Sequence, residues 1–193
     1  MAETPSTFFL KPGDEAPSFE LPDGTGKMHR LSEVSGEAGT LVVFACNHCP
    51  YVVHLGRELG EFAREVAGKG VATVAISSND VQNYPADAPA KMVEVAREWG
   101  WDFPYLYDET QDVAKAYGAA CTPDFLLFDG QGRLYYAGQF DETRPRSGVA
   151  ATGHDMREAV DGMLGGEAPA ASPAPSTGCN IKWKPGSEPA YYG

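Results

Sequence analysis

Two runs, Leu41–Ala45 and Val71–Ile76, are rich in β-branched residues and apolar at successive positions, so both faces of each must be covered. Neighbouring parallel strands at the centre of a sheet meet that demand. Between them Val52, Leu55, Leu59, Phe62 and Val66 recur at helical spacing, while Gly56, Gly60, Ala63 and Ala67 form a small-residue stripe that admits a close neighbour. Strand, helix and strand make one right-handed crossover unit, which places the chain in the α/β class.

The remaining patterns arrange themselves around that unit. Ser77-Ser78-Asn79-Asp80 supply turn or capping residues ahead of a helix around Asp87–Trp99, with Met92, Val95, Ala96 and Trp99 on one face. Asp112–Tyr117 reads as a short helix. Phe125–Phe128 and Leu134–Ala137, separated by Asp129-Gly130-Gln131-Gly132, read as an antiparallel hairpin, and Met156–Leu164 as a last amphipathic helix. From Gly165 to Gly178 every residue except Glu167 and Thr177 is Ala, Gly, Pro or Ser, the composition of a linker. Beyond it Ile181 and Trp183 carry apolar surface worth burying. The expected organisation is a domain over residues 1–164, a linker over 165–178 and a tail over 179–193 that docks on the domain.

Charge excludes several partners. The 193 residues hold 15 Lys plus Arg against 27 Asp plus Glu, a net charge of −12 that repels phosphate backbones and anionic lipid surfaces. No nucleic acid and no membrane are expected, and the oligomeric state is open. The only apolar cluster in the first ten residues is Phe8-Phe9-Leu10, too little for a secretory leader, so the expected location is cytoplasmic. Four cysteines in that setting favour redox chemistry or metal binding over a disulfide scaffold.

Cys46-Asn47-His48-Cys49 falls where the first buried strand gives way to the first helix. The spacing predicts Cys46 at the helix N-terminus, where unpaired N–H groups and the helix dipole pull a thiol pKa from about 8.5 toward 7 or below. Cys46 is then the nucleophile and Cys49, about one turn later, the thiol that resolves a mixed disulfide. A cationic His48 between them favours the thiolate and a more oxidising couple, or is a solvated side chain without effect. The rival use of the pair is half a zinc site, which needs a second close pair; Cys121, Cys179, His29 and His154 are isolated singles, so no metal and no cofactor are expected.

The strand-to-helix CxxC, the crossover, Thr122-Pro123 leading into a hairpin and the terminal helix resemble the thioredoxin superfamily over about residues 12–164. Gly13-Asp14-Glu15-Ala16-Pro17-Ser18-Phe19-Glu20-Leu21-Pro22 and Tyr117-Gly118 to Gly130 resemble its redoxin branch, which includes the alkyl hydroperoxide reductase/thiol-specific antioxidant proteins. Cys46-Asn47-His48-Cys49-Pro50-Tyr51-Val52, Cys121-Thr122-Pro123-Asp124-Phe125 and Gly178-Cys179-Asn180-Ile181-Lys182-Trp183-Lys184 are similar to a group of bacterial thioredoxin-like proteins. The resemblance implies a thioredoxin fold, a central mixed sheet flanked by helices, with an N-terminal redoxin-type extension and a C-terminal tail. It also implies that Pro123 is a cis-proline facing the CxxC, with Thr122 beside it pairing an extended substrate strand. Asn47, His48, Thr122 and Pro123 shape the substrate site in this reading. The chain departs from thioredoxins at Ala45, Asn47-His48 and His54, and no acidic residue stands in the strand before the motif; Asp124 is a candidate acid.

These features fit an antioxidant-type oxidoreductase: a thiol-disulfide oxidoreductase acting on protein disulfides and served by a thiol reductant or reductase. A peroxidase is the alternative, although position 43, three residues before Cys46, is Val rather than the Thr of peroxiredoxins. A redox-regulated binding module is the third. Cys121 and Cys179 are expected either to pair as a disulfide that pins the tail, or to stay as two buried thiols, or to let Cys179 attack Cys46.

Overall fold

The computed structural model describes residues 3–192. In chain order its elements are β1 (Glu3–Pro5), β2 (Glu20–Pro22), β3 (Met28–Arg30), α1 (Leu31–Val34), β4 (Gly39–Phe44), α2 (Pro50–Ala67), β5 (Val71–Ser77), α3 (Pro89–Trp99), β6 (Tyr105–Tyr107), α4 (Asp112–Tyr117), β7 (Cys121–Thr122), β8 (Asp124–Asp129), β9 (Leu134–Ala137), α5 (His154–Leu164) and β10 (Thr177–Asn180). A mixed sheet runs β6-β5-β4-β8-β9, with β4 parallel to β5 and antiparallel to β8. All six residues of the central strand β4 are buried, as its unbroken apolar run demands.

Alternation along β4 divides the core in two. Leu41 and Val43 face Val52, Leu55, Leu59, Phe62 and Val66 of α2, with Met156 and Val160 of α5. Val42 and Phe44 face the other way, onto Phe19, Leu21, Tyr117, Ile181 and Trp183. The N-terminal extension and the C-terminal tail therefore complete the second face of the sheet. The small-residue stripe of α2 is where α3 arrives: a Cβ on Gly56 would stand 2.6 Å from the Trp99 ring, and one on Gly60 2.7 Å from the Trp99 carbonyl oxygen.

Three short strands form a second sheet in the order β1-β10-β7, all antiparallel. Its middle strand comes from the end of the stretch whose composition reads as linker. Thr177 and Gly178 are strand, with Ser6 donating its N–H to the Ser176 carbonyl at 2.9 Å. Further on, Ile181 N–H reaches the Ala120 carbonyl (3.1 Å), Lys182 N–H the Asn79 side chain (2.9 Å) and Lys184 N–H the Gln111 side chain (2.9 Å). Gly178 lies so close to β7 that a Cβ there would stand 2.0 Å from the Thr122 carbonyl oxygen. Gly178→Ala should therefore destabilise the protein by about 1–3 kcal/mol, the usual cost of overpacking. Denaturant unfolding checks this, and a change within about 0.5 kcal/mol would mean that the strand tolerates the methyl group.

Candidate active site

Pro50 decides where the helix begins. Its missing N–H costs nothing in the first turn, so α2 starts there and Cys49 becomes the N-cap residue. The expectation that Cys46 occupies the helix N-terminus is thus corrected: Cys46 sits in the bend between β4 and α2, three residues ahead of the cap. Both cysteines are sealed, Cys46 at 1% exposure and Cys49 at 0%.

Asn47 fixes the bend. Its N–H reaches the Asp87 carboxylate at 2.8 Å, its amide nitrogen donates to the Ala86 carbonyl at 2.9 Å, and its side-chain oxygen accepts from the Tyr105 hydroxyl at 3.0 Å. Every polar group of this buried side chain has a partner, so it shapes the loop.

The Thr122-Pro123 peptide is cis and lies over the dithiol. Thr122 contributes two contacts: its hydroxyl is 3.4 Å from the Cys46 sulfur, and its carbonyl accepts from the Cys49 thiol at 3.1 Å. The edge beside Pro123, expected to bind a substrate strand, is already filled by β10, which pairs with β7 there.

The register of that pairing sorts the other two cysteines. Cys179 stands opposite Thr122, and Asn180 opposite Cys121. Successive strand residues point to opposite faces, so the Cys179 thiol shares the dithiol's side while Cys121 points away. Cys121 donates to the Pro123 carbonyl at 3.4 Å, and Cys179 lies in the same buried cluster as Cys46 and Cys49. Of the three expectations for Cys121 and Cys179, the pair is corrected, since opposite faces of one ladder cannot present two sulfurs to each other without breaking it, and the two stand as separate buried thiols. All four cysteines are unpaired and buried.

Three thiols in contact titrate as a unit. Donation from Cys179 and Cys46, with help from the Val52 and Cys179 backbone N–H groups, holds the Cys49 thiol far below its ordinary range against the opposing push of burial. The contact with Cys49 and burial push the Cys46 thiol up, and the Asp87 carboxylate adds to this. Contact with Cys49, then burial, likewise push Cys179 up. Of the three thiols Cys49 therefore gives up its proton most readily.

Asp87 is the site residue that sequence reasoning missed. It is fully buried at the end of a single 3-10 turn, Pro85–Asp87. Besides Asn47 N–H, it accepts from the Asn79 amide at 2.8 Å and pairs with His48 Nδ1 at 2.8 Å. This pair raises the His48 pKa, with burial and Lys182 opposing. His48 stacks on Tyr84 at 6.0 Å between ring centroids, and Lys182 of the tail approaches that ring at 5.7 Å. The protonated form of His48 is thereby favoured by the adjacent carboxylate. A composition cue existed: a lone Asp in Pro85-Ala86-Asp87-Ala88-Pro89 has no helix face to occupy. Cys46, His48 and Asp87 also bring one ligand atom each within 4.8 Å of one another. That is three donors where structural zinc takes four, and the Asp87 oxygens are already engaged by three donors.

Asp124 opens β8 opposite Phe44 of β4 and accepts from the Ala120 N–H at 3.4 Å. Burial raises its pKa to about 6, opposed by the hydroxyls of Ser6 and Ser176 and the N–H groups of Ala120 and Phe125.

A mixed sheet in this order, flanked by helices and with the Cys46–Cys49 loop leading from β4 into α2, is a thioredoxin fold. The fold is shared with peroxidoxin BcpB of Mycobacterium tuberculosis, at a TM-score of 0.61 and 21% identity over 81% of this chain and 97% of that one, a likeness of fold alone. The family model of the AhpC/TSA family matches residues 12–137, and the chain belongs to that family. It is 48% identical to an uncharacterized conserved protein from Geobacillus kaustophilus, whose structure aligns at a TM-score of 0.91 over 96% of this chain and 98% of that one. It is 28% identical over 125 residues to the thiol-disulfide oxidoreductase ResA of Geobacillus thermodenitrificans, covering 63% of this chain and 66% of ResA. The chain spans about two thirds of the length of the curated relatives it matches, 65% and 66% in two cases.

Asp124 gives a pH test of the site's frame. Its folded pKa lies above the unfolded value, so the unfolded chain loses the proton first and the burial penalty grows as pH rises from about 4 to 6. The move from 3.8 to about 6 corresponds to about 3 kcal/mol. Asp124→Asn should gain that much on wild type between pH 4 and 7 in denaturant unfolding; a difference that stays flat across this range would contradict the assignment.

Proposed function

We propose that the protein is a thiol-disulfide oxidoreductase that works on protein disulfides through Cys46 and Cys49 and is reduced again by a thiol reductant or reductase. The observation that carries this reading is the dithiol itself: two neighbouring buried thiols set beneath the Thr122 hydroxyl and carbonyl, with the pKa of Cys49 pulled down and that of Cys46 pushed up. Once Cys49 has lost its proton to water, its thiolate takes the Cys46 proton. Cys46 thiolate then attacks one sulfur of the substrate disulfide, forming a mixed disulfide and releasing the other sulfur as a thiolate, which takes the proton from Cys49. The Cys49 thiolate attacks the Cys46 sulfur, the Cys46–Cys49 bond forms, and the second substrate sulfur leaves as a thiolate that is protonated by water. The substrate is reduced by two electrons and the protein holds a Cys46–Cys49 disulfide. Cys46 is the attacking thiol because it lies on the bend beside half-exposed His48, whereas Cys49 is enclosed by Cys46, Cys179 and Thr122.

Because β10 occupies the edge beside Pro123, an extended substrate pairs there only once β10 separates from β7. Membership of the AhpC/TSA family and similarity to a protein called ResA, a thiol-disulfide oxidoreductase, support the reading. A cytoplasmic location belongs to the same proposal, since thiol reductants there keep dithiols reduced. The acidic surface argues against nucleic acid and anionic membranes, and among the described residues no helix is long and apolar enough to cross a bilayer. A peroxidase is the second reading, drawn from the family. Val43 stands where a peroxidatic Cys46 would need a threonine.

Cys49→Ser should accumulate mixed disulfides with protein substrates through Cys46, visible by non-reducing electrophoresis and peptide mapping. Equal or greater trapping through Cys49 in Cys46→Ser would reverse the roles of the two thiols.

A further inference from the structure

We propose that Cys179 is a third redox-active thiol, which exchanges with Cys49 so that the disulfide moves from Cys46–Cys49 to Cys49–Cys179. The inference deepens the thiol-disulfide exchange reading and rests on it.

The argument starts from placement. Cys179 sits in the middle strand of the small sheet, opposite Thr122, the residue whose hydroxyl and carbonyl touch Cys46 and Cys49. Its side chain turns to the face of the dithiol and lies in the same buried cluster as Cys46 and Cys49, and its proximity to Cys49 pushes its own pKa up. Gly178 brings the strand this close, since its bare Cα passes where any Cβ would collide with the Thr122 carbonyl. Strand residues on both sides are held: Glu3 and Thr4 pair with Cys179 and Gly178 from β1, and Ile181 and Trp183 are buried in the core. Cys179 is thus delivered to Cys49 by a fixed element, the geometry that intramolecular exchange rewards.

The chemistry balances without an added oxidant. The Cys46–Cys49 disulfide arises from reduction of a substrate disulfide. Cys179 loses its proton and its thiolate attacks the Cys49 sulfur; the Cys49–Cys179 bond forms and the Cys46–Cys49 bond breaks. The electron pair leaves on Cys46, which takes up the proton. No net oxidation occurs. Once Cys49 is in a disulfide it can carry no charge, and the largest influence that pushes the Cys179 pKa up in the reduced protein is removed. The product has Cys46 free for a second exchange and the C-terminal strand covalently tied to the start of α2.

Cys121 has no part in this step, being on the opposite face beside Asn180. This separates the inference from a simple tail disulfide.

Disulfide mapping of the full-length protein tests it. Wild type is mixed with a protein disulfide, quenched in acid, alkylated and digested without reduction. The proposal expects two cross-linked species, Cys46–Cys49 and Cys49–Cys179. Cys46→Ser, oxidised with a stoichiometric dose of diamide, should yield Cys49–Cys179 as its dominant cross-link. If wild type forms Cys46–Cys49 alone and the variant gives no Cys49–Cys179, or pairs Cys179 with Cys121, the relay is overturned while the exchange reading stands. If wild type forms neither disulfide with the protein substrate, both are overturned. The wild-type measurement decides the matter even where the variant fails to fold.

Discussion

Backbone pairing between β7 and β10 closes the thiol cluster, and it requires that residue 178 lack a Cβ. β7 is the strand that carries Thr122 into the cis-proline loop, so whatever pairs with it is set against Cys46 and Cys49. In this protein the chain's own end takes that place. The tail's other attachments follow from the same docking: Ile181 and Trp183 fill the second face of the sheet, and Lys182 stacks toward Tyr84 and His48. The dithiol is therefore enclosed by structure that is continuous with the core, and its opening is coupled to the detachment of a strand.

Enclosure also governs the electrostatics. Charge in a buried site survives only where donors meet it, and the cluster supplies donors to one sulfur, Cys49. The nearby carboxylate of Asp87 would oppose a second charge, and it is balanced by Asn47 N–H, Asn79 and His48. Three neighbouring thiols thus share a buried site, with Cys49 the one that loses its proton most readily. That arrangement suits thiol exchange, in which one thiolate at a time must form and leave.

The crossover unit was legible because its strands are buried on both faces and its helix on one, and burial writes directly into hydrophobic pattern. The dithiol was legible from its spacing, and the cis-proline loop from resemblance. Other parts left weaker marks. The start of α2 depended on Pro50 accepting the first helical position, which moved the cap from Cys46 to Cys49. β10 was hidden in a stretch of Ala, Pro, Gly and Ser because its order comes from backbone bonds to two neighbours, which need no particular side chains. The short β6 is three residues long, too brief to show a period. The side to which Cys179 turns is a matter of register, and a shift of one residue would have given the opposite result.

The central claim is that this enclosed cluster performs thiol-disulfide exchange. It is tested most directly by the second-order rates of the fully reduced protein with a protein disulfide and with hydrogen peroxide, followed in parallel by formation of the intramolecular disulfide. The account predicts the faster reaction with the protein disulfide, lost when Cys46 is replaced. A faster reaction with peroxide, leaving protein disulfides unreduced, would contradict it.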